Sequence, residues 1–238
     1  ALDKRPDTIV LHASALPSSD YRTVLRRRFP ELSIPDDTVS DPLSTFIRQN
    51  IAHRVIFSNV VLPNPEGTRW VPKGLLMELT PSSQLPSVDQ LIAANTRLWS
   101  SYHDPRQGVL MQFRHLMLSD ILDVYANAHA VYGDTLFRAG RLSDAIVEYQ
   151  AVITLGSEAL LPQAWTKLGQ SRVLMSDCVG GLTAFENAQR TSFIGMPELL
   201  YYKAVTYRDC VGDASKSARL FSEYESWQQQ KEIRLDQL

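Results

Sequence analysis

The side chains that could carry catalysis or bind a metal in this 238-residue chain are its five histidines and the hydroxyl and acidic groups near them. No two histidines are spaced as H-x-x-x-H or H-E-x-x-H, so the sequence predicts no metal site. His12 ends a short apolar run, and catalytic side chains of α/β sheets often follow a strand in this way. Together with Ser14, it supports one hypothesis, a small enzyme that handles a sugar or a nucleotide.

Motifs for cofactors and activated nucleophiles are absent from the sequence. It contains neither of the glycine patterns that cradle phosphates, the P-loop and G-x-G-x-x-G, and no G-x-S-x-G elbow. The acidic residues between Glu66 and Asp104 are scattered and show no pairing of the kind that hydrolyses glycosides. We therefore predict that the chain itself is not an enzyme and uses no cofactor.

The charges of the chain are nearly balanced, with 24 basic and 26 acidic residues and a net charge of −2. This balance provides no extended field of one sign to attract nucleic acid or an anionic membrane surface. The one basic run, Arg26 to Arg28, has Arg22 one turn before it. We predict that these arginines surround a helix and lie in solvent, and that nucleic acid is not a partner.

The two cysteines, Cys178 and Cys210, are too few for a disulfide framework and form no C-x-x-C motif. The sequence alone leaves open whether they pair with each other. The apolar runs are far too short to span a bilayer, and no signal peptide opens the chain, which starts at Ala1. We interpret the chain as a processed protein or as a soluble domain of a larger one.

Residues 1–85 hold all the strand-like segments and most of the prolines, which predicts a small α/β unit. Ser19-Asp20 resembles a helix N-cap, and Asp41-Pro42 places a proline at the first position of a second helix. The predicted elements are, in order, a strand at 8–11, helices at 20–29 and 42–51, and strands at 54–60 and 70–79.

Residues 86–238 are predicted to be helical, because apolar residues recur at i, i+3 and i+4, as in the stretch 110–117. From about residue 126 the sequence matches itself at a period of 36, in copies at 126–161, 162–197 and 198–227. The second copy reads Trp165-x-x-Leu168-Gly169 and then Gly181-x-x-x-Phe185, which is similar to the tetratricopeptide signature. The equivalent sets are His129, Trp165 and Tyr201; Gly133, Gly169 and Val205; Gly140, Ser176 and Gly212; Ala145, Gly181 and Ser217; Tyr149, Phe185 and Phe221.

Packing explains these residue types. Small residues are expected where the two helices of one hairpin approach closely, and aromatic residues where one hairpin meets the next. Gly140 and Gly212 are expected to end a helix in a left-handed turn. The predicted fold is therefore α+β but mostly α, a small α/β N-terminal unit followed by a tetratricopeptide-like helical solenoid. The alternative is a helical bundle without repeats.

The first helix of each repeat would line a concave groove, which we predict to bind a protein or peptide. Its two lysines stand 36 residues apart and would lie on the same face of adjacent hairpins. Alternatively, the groove packs against the N-terminal part of the chain or its final helix. The predicted groove residues are Asn127, Asp134, Gln163, Lys167, Gln170, Tyr202 and Lys203.

Four segments, in a common order, resemble bacterial membrane glycosyltransferases related to the transmembrane protein O-mannosyltransferases. The third of them has Val55 where that family has proline. The segments are Lys4–Leu11, with its Arg-Pro-Asp; Tyr21–Pro30, with its Leu-Arg-Arg-like end; Asn50–Phe57, which is similar to an N…R-P-V-Y-F strand; and Val71–Leu79, which is similar to a P-x-G-L-x-x-x-L strand.

This resemblance implies that the chain is the soluble C-terminal part of such an enzyme, on the extracytoplasmic face of a membrane. Its repeats would then dock an acceptor protein or a partner subunit. The membrane-embedded half, with the catalytic acid and the lipid-linked sugar site, would lie outside this chain, and no matched position is catalytic in the family. The alternative is a stand-alone adaptor or scaffold, which would be cytoplasmic.

Overall fold

The structure, a computed structural model, describes residues 8–107, 118–192 and 195–235, with side chains to residue 229. Helix makes up 62% of the chain, and the described residues also form one small three-stranded sheet, which confirms the predicted fold class. Contacts divide the chain into two compact units. The N-terminal unit comprises Ala1–Val71 and Leu76–Pro86, and the repeat unit comprises Pro72–Leu75 and Ser87–Leu238.

Two helices of the N-terminal unit form where the sequence predicts them. Helix α1, Ser19–Arg28, begins after Ser18, whose side chain accepts a hydrogen bond from a backbone N–H of the first turn. Helix α2, Pro42–Asn50, begins after Asp41, which caps it in the same way, and the proline occupies the first turn, where no N–H is needed.

The sheet of the N-terminal unit differs from the predicted strands. It contains β1, Phe57–Ser58, β2, Thr68–Lys73, and β3, Leu76–Pro81, in the order β1-β3-β2, with β1 antiparallel to β3. The predicted strand at 70–79 is thus a hairpin, because Gly74 turns the chain with a φ of +64°. The predicted strand at 54–60 is reduced to the two residues of β1.

The strand predicted at 8–11 is wrong. These residues form no regular structure, and Val10 is 68% exposed, although the prediction required a buried strand. A β-branched run forms a strand only where a neighbouring strand can pair with it. Residues 4–7, which belong to the same segment of the family resemblance, lie outside the described residues.

Arg22 contradicts the prediction that the arginines of α1 lie in solvent, since it is only 3% exposed. Its Nη1 donates to the carbonyl oxygens of Leu16 at 2.8 Å and Pro17 at 2.9 Å, and its Nε donates to Asp37 at 3.1 Å. Hydrogen bonds from Arg26 and Arg22 lower the pKa of Asp37. The buried apolar core of the N-terminal unit comprises Leu16, Leu25, Leu32, Phe46, Ile47 and Leu79.

Among the described residues, the repeat unit contains helix α3, Val88–Trp99, and three helical hairpins. The helix Glu198–Thr206 extends into a π-helical turn at Tyr207–Val211. The helix predicted at 110–117 lies outside the described residues. The hairpins are α4 (Leu118–Arg138) with α5 (Leu142–Leu155), α6 (Leu161–Leu174) with α7 (Cys178–Thr191), and α8 (Glu198–Thr206) with α9 (Ala214–Leu235).

All three hairpins turn at the positions that the 36-residue period predicts. Gly140, Ser176 and Gly212 have φ angles of 74°, 66° and 81°, in the left-handed region that ends many helices. Gly140 and Gly212 therefore form the left-handed turns that the sequence predicts, and the second hairpin makes the same turn with Ser176.

Candidate protein-interaction surface

Within a hairpin, an aromatic ring covers a glycine of the facing helix. A Cβ placed on Gly169 would lie 2.5 Å from Cε1 of Phe185, and a Cβ on Gly133 would lie 2.9 Å from Cε1 of Tyr149. Because only glycine leaves room for these rings, the small and aromatic residues of the repeat are explained by close helix approach. The aromatic rings thus pack inside their own hairpin as well as at its boundary.

The first junction, between the α4–α5 and α6–α7 hairpins, has a core of small and aliphatic side chains. Ala126, Val152 and Ala164 are at most 3% exposed there. The same junction leaves a small cleft open between α4, α5 and α6. Its lining residues are Ala130, Asp134, Tyr149, Leu160, Gln163, Ala164 and Lys167.

Two polar contacts define the chemistry of this cleft. The Tyr149 hydroxyl donates to Asp134 Oδ1 at 2.8 Å, and burial together with this bond raises the pKa of Tyr149. The Lys167 ammonium lies 5.1 Å from the centroid of the Phe137 ring, a cation–π distance. The lining of the cleft therefore combines a carboxylate that accepts a hydrogen bond, an ammonium and largely apolar surface.

The second junction, between the α6–α7 and α8–α9 hairpins, is filled by larger side chains. Phe185, Ala188 and Leu199 form its buried core, and Tyr202 stacks on Phe185 with ring centroids 5.9 Å apart. Lys203 Nζ donates to the Gln189 side chain at 2.8 Å, and desolvation by burial lowers the pKa of this lysine.

A disulfide between Cys178 and Cys210 crosses the second junction, with Cα atoms 5.7 Å apart. It joins the first residue of α7 to the turn that follows α8. This settles the pairing that the sequence left open. At the first junction the residues 36 positions earlier are Leu142 and Leu174, which cannot form such a bond.

The predicted groove residues divide between the two junctions. Asp134, Gln163 and Lys167 line the cleft together. Tyr202 and Lys203 belong to the second junction, so the two lysines have different neighbours although they share a place in the repeat. The remaining two predicted residues, Asn127 on α4 and Gln170 on α6, are half-buried outside the cleft lining.

Leu160, Ala164 and Tyr149 are cleft residues that the groove prediction missed. The period itself could have identified Leu160, because its counterpart Met196 packs against the core of the second junction. Tyr149 was assigned to packing alone, yet its hydroxyl reaches the cleft through Asp134. A pattern of residue types does not reveal such a double role.

Two histidines, His129 and His12, make contacts of chemical interest. His129 stacks on Trp99, with centroids 4.0 Å apart, and its Nδ1 lies 2.6 Å from Glu148 Oε2, so it holds α3 and α5 against α4. His12 Nδ1 lies 3.0 Å from Ser14 Oγ, and both side chains are exposed.

Metal-binding clusters and membrane-spanning helices are not found in the described part of the chain. Among residues 8–107, 118–192 and 195–235, no group of three or more histidine, cysteine, aspartate or glutamate side chains could hold a metal ion. No helix in the part of the chain that the structure describes is long and apolar enough to cross a membrane.

Comparison with known proteins gives similarity at the level of solved structures. No protein-family model and no curated protein matches this sequence. A crystal structure of MamA is 18% identical, with a TM-score of 0.41 over 61% of this chain and 91% of its own length. A second MamA structure gives the same identity and TM-score over 61% of this chain and 85% of its own. The equivalent turns and glycine–aromatic pairs of this chain itself identify it as a helical repeat protein.

Proposed function

We propose that the repeat unit is a protein-interaction scaffold, and that the cleft at the first junction binds a segment of another polypeptide. The observation that carries this proposal is the convergence of Asp134, Gln163 and Lys167, from two successive hairpins, around an apolar floor. Stacked helical hairpins present extended surfaces of this kind, and such surfaces suit a polypeptide better than a small molecule. The fold thus supports a scaffold, and the cleft supplies a place for the partner.

The contacts within the cleft favour a partner with an acidic side chain. Because the ring of Phe137 is a weak partner for the Lys167 ammonium, a carboxylate can replace it. Asp134 already accepts the Tyr149 hydrogen bond, which reduces its repulsion of a second carboxylate. The exposed amide of Gln163 both donates and accepts, as binding to a peptide backbone requires.

The test replaces Gln163 with a photo-crosslinking residue in the full chain and measures the affinity of each crosslinked partner. We expect Lys167→Glu to weaken binding at least about tenfold, which corresponds to about 1.4 kcal/mol. Lys216→Glu is the matched control, because Lys216 also lies over an aromatic ring, 4.2 Å from the Tyr207 centroid, outside the cleft. Equal affinities of the wild type and the Lys167→Glu variant at physiological salt would refute the proposal.

A second variant changes the cleft lining without changing its charge. Gln163→Leu copies Leu199, the counterpart 36 residues later. Because Gln163 is exposed, we expect this variant to fold and to lose the partner. The variant Lys203→Glu tests whether the second junction contributes to binding. It should leave the affinity unchanged if the first junction alone holds the partner.

The possible parent enzyme is a separate proposal. The ordered resemblance of four segments to membrane glycosyltransferases supports a parent of that type, in which the scaffold would hold the acceptor near the membrane. The full open reading frame tests it. Several apolar segments of about 20 residues before Ala1 would support a membrane parent, and a start codon just before Ala1 would instead support the stand-alone adaptor.

The exposed His12–Ser14 pair supports an alternative function, an enzyme that handles a sugar or a nucleotide. The 3.0 Å contact brings a hydroxyl to an imidazole, as nucleophilic catalysis requires. A titration with nucleotide sugars tests it, and saturable binding that is lost in His12→Ala would favour this alternative over the scaffold.

A further inference from the structure

The second junction shows how one hairpin of this chain receives the next. The α6–α7 hairpin contributes Trp165, Phe185 and Ala188, which belong to the core of this junction. The incoming helix α8 contributes Leu199 and Tyr202, spaced at i and i+3 on one face, and the segment just before the helix contributes Met196.

The third hairpin carries a corresponding receiving surface. Its residues 36 positions after Trp165, Phe185 and Ala188 are Tyr201, Phe221 and Tyr224. The Tyr201 ring lies 5.8 Å from the Phe221 ring and 5.7 Å from the Tyr224 ring, so the three form one cluster, the open aromatic face. Tyr201 is nevertheless 44% exposed, and the other two are only half-buried.

We propose that the open aromatic face binds an amphipathic helix of another protein, which presents an apolar residue at i and an aromatic residue at i+3, with a further apolar residue just before the helix. The proposal rests on continuity with the second junction, where the same three positions already receive a helix of that pattern. It is independent of the cleft at the first junction. Helix-in-groove binding of this kind uses a few apolar anchors on one helical face.

A second copy of this chain does not provide the required helix. Its own α8 carries the pattern, but Leu199 is only 2% exposed and Tyr202 stacks on Phe185. The disulfide from Cys178 to Cys210 also holds the end of that helical segment in place. The occupant must therefore come from a different protein with a free helix.

The test uses a helix-stabilised, labelled peptide with the sequence Met196–Arg208, titrated into the full oxidised chain. We expect saturable binding that Tyr201→Glu in the protein weakens at least about tenfold. The peptide with Leu199→Glu and Tyr202→Glu should not bind. Val147→Glu is the matched protein control, because Val147 is an apolar residue on α5 that is 60% exposed, and it should bind like the wild type.

Circular dichroism confirms that each variant is folded, and Tyr224→Glu provides a second disruption of the same face. The absence of saturable binding to the wild type would overturn the proposal, as would equal binding to the Tyr201→Glu variant. A further test measures the oligomeric state of the protein without the peptide by analytical ultracentrifugation. A concentration-dependent dimer that Tyr201→Glu abolishes would assign the face to a second copy and overturn the stated occupant.

Discussion

The two junctions of the repeat unit occupy equivalent places in the 36-residue period and differ in how side chains fill them. At the first junction, Gln163 and Thr166 stand where the second junction has Leu199 and Tyr202. The larger pair packs on Phe185 and its neighbours, and the smaller, more polar pair accompanies an open cleft. The equivalent lysines of the two junctions therefore make different contacts. Lys167 lies over the Phe137 ring, and Lys203 donates a hydrogen bond to the Gln189 side chain.

This difference suggests that one junction mainly stabilises the array and the other is available for binding. The second junction is apolar, stacked and crosslinked, so it should contribute most to stability. The first junction retains polar groups, which would contact the partner under the function proposed above. Repeat arrays allow such a division because each hairpin contacts only its neighbours, and one boundary can be specialised without altering the others.

Truncating the core of the second junction should have the largest effect. Phe185→Ala removes a ring that is 1% exposed, covers Gly169 and stacks on Tyr202. Loss of a buried aromatic ring typically destabilises by about 3–5 kcal/mol. Urea denaturation followed by circular dichroism measures the change, and a loss below about 1 kcal/mol would contradict the assignment of Phe185 to the core.

Removing the disulfide should be the next largest effect. The bond closes a loop with a sequence separation of 32, for which chain entropy predicts a stabilisation of about 3–4 kcal/mol. We expect Cys178→Ser with Cys210→Ser to lower the urea midpoint accordingly. A reducing agent should lower the midpoint of the wild type and leave that of the double variant unchanged.

The first junction offers a reciprocal experiment for the disulfide. Leu142→Cys with Leu174→Cys places cysteines at the positions 36 residues earlier. If the junctions share one geometry, these cysteines should pair on oxidation, and mass spectrometry of a non-reduced digest detects the new link. Failure to pair would show that the hairpins are spaced differently at the two junctions.

The sequence predicted the repeat unit well because its constraints are local. A left-handed turn, a glycine and the ring that covers it lie within one hairpin, so residue type and spacing determine them. The N-terminal strands were predicted poorly because a strand depends on distant partners. Thr8–Leu11 has a strand-like composition and no strand, and Arg22 is buried by carbonyl groups that no pattern reveals.

The candidate site was predictable only in part for a similar reason. The period placed Lys167 and Lys203 at equivalent positions, and the backbone register follows it. Their contacts depend on the neighbouring hairpin, where Phe137 faces one lysine and Gln189 the other. Side-chain size across a junction, rather than the repeat itself, determines where a cleft remains.

Replacing a glycine where the two helices of a hairpin approach closely should have a smaller effect on stability. A Cβ on Gly169 would lie 2.5 Å from Phe185 Cε1 and 3.1 Å from the Gly181 carbonyl oxygen, and this backbone atom cannot easily move. We expect Gly169→Ala to destabilise by about 1–3 kcal/mol, as overpacking does. Gly133→Ala should be milder, because its nearest contacts are side-chain atoms at 2.9 and 3.2 Å. Thermal denaturation of the two variants tests the order.

The smallest expected effect concerns the turn of the second hairpin, and it is a gain in stability. Ser176 is the one non-glycine residue with a positive φ among the described residues, and its counterparts in the other hairpins are Gly140 and Gly212. A left-handed conformation costs a residue with a Cβ about 1–2 kcal/mol, partly offset by the larger entropy of glycine in the unfolded chain. We therefore expect Ser176→Gly to stabilise the protein by about 0.5–1 kcal/mol. The reverse change, Gly212→Ser, should destabilise by a similar amount, because a Cβ there meets nothing within 4 Å and only backbone strain remains. The midpoints of urea denaturation of the two single variants measure the expected gain and the expected loss of stability. A loss of stability in Ser176→Gly would show that the serine side chain makes a contact that outweighs the relief of strain.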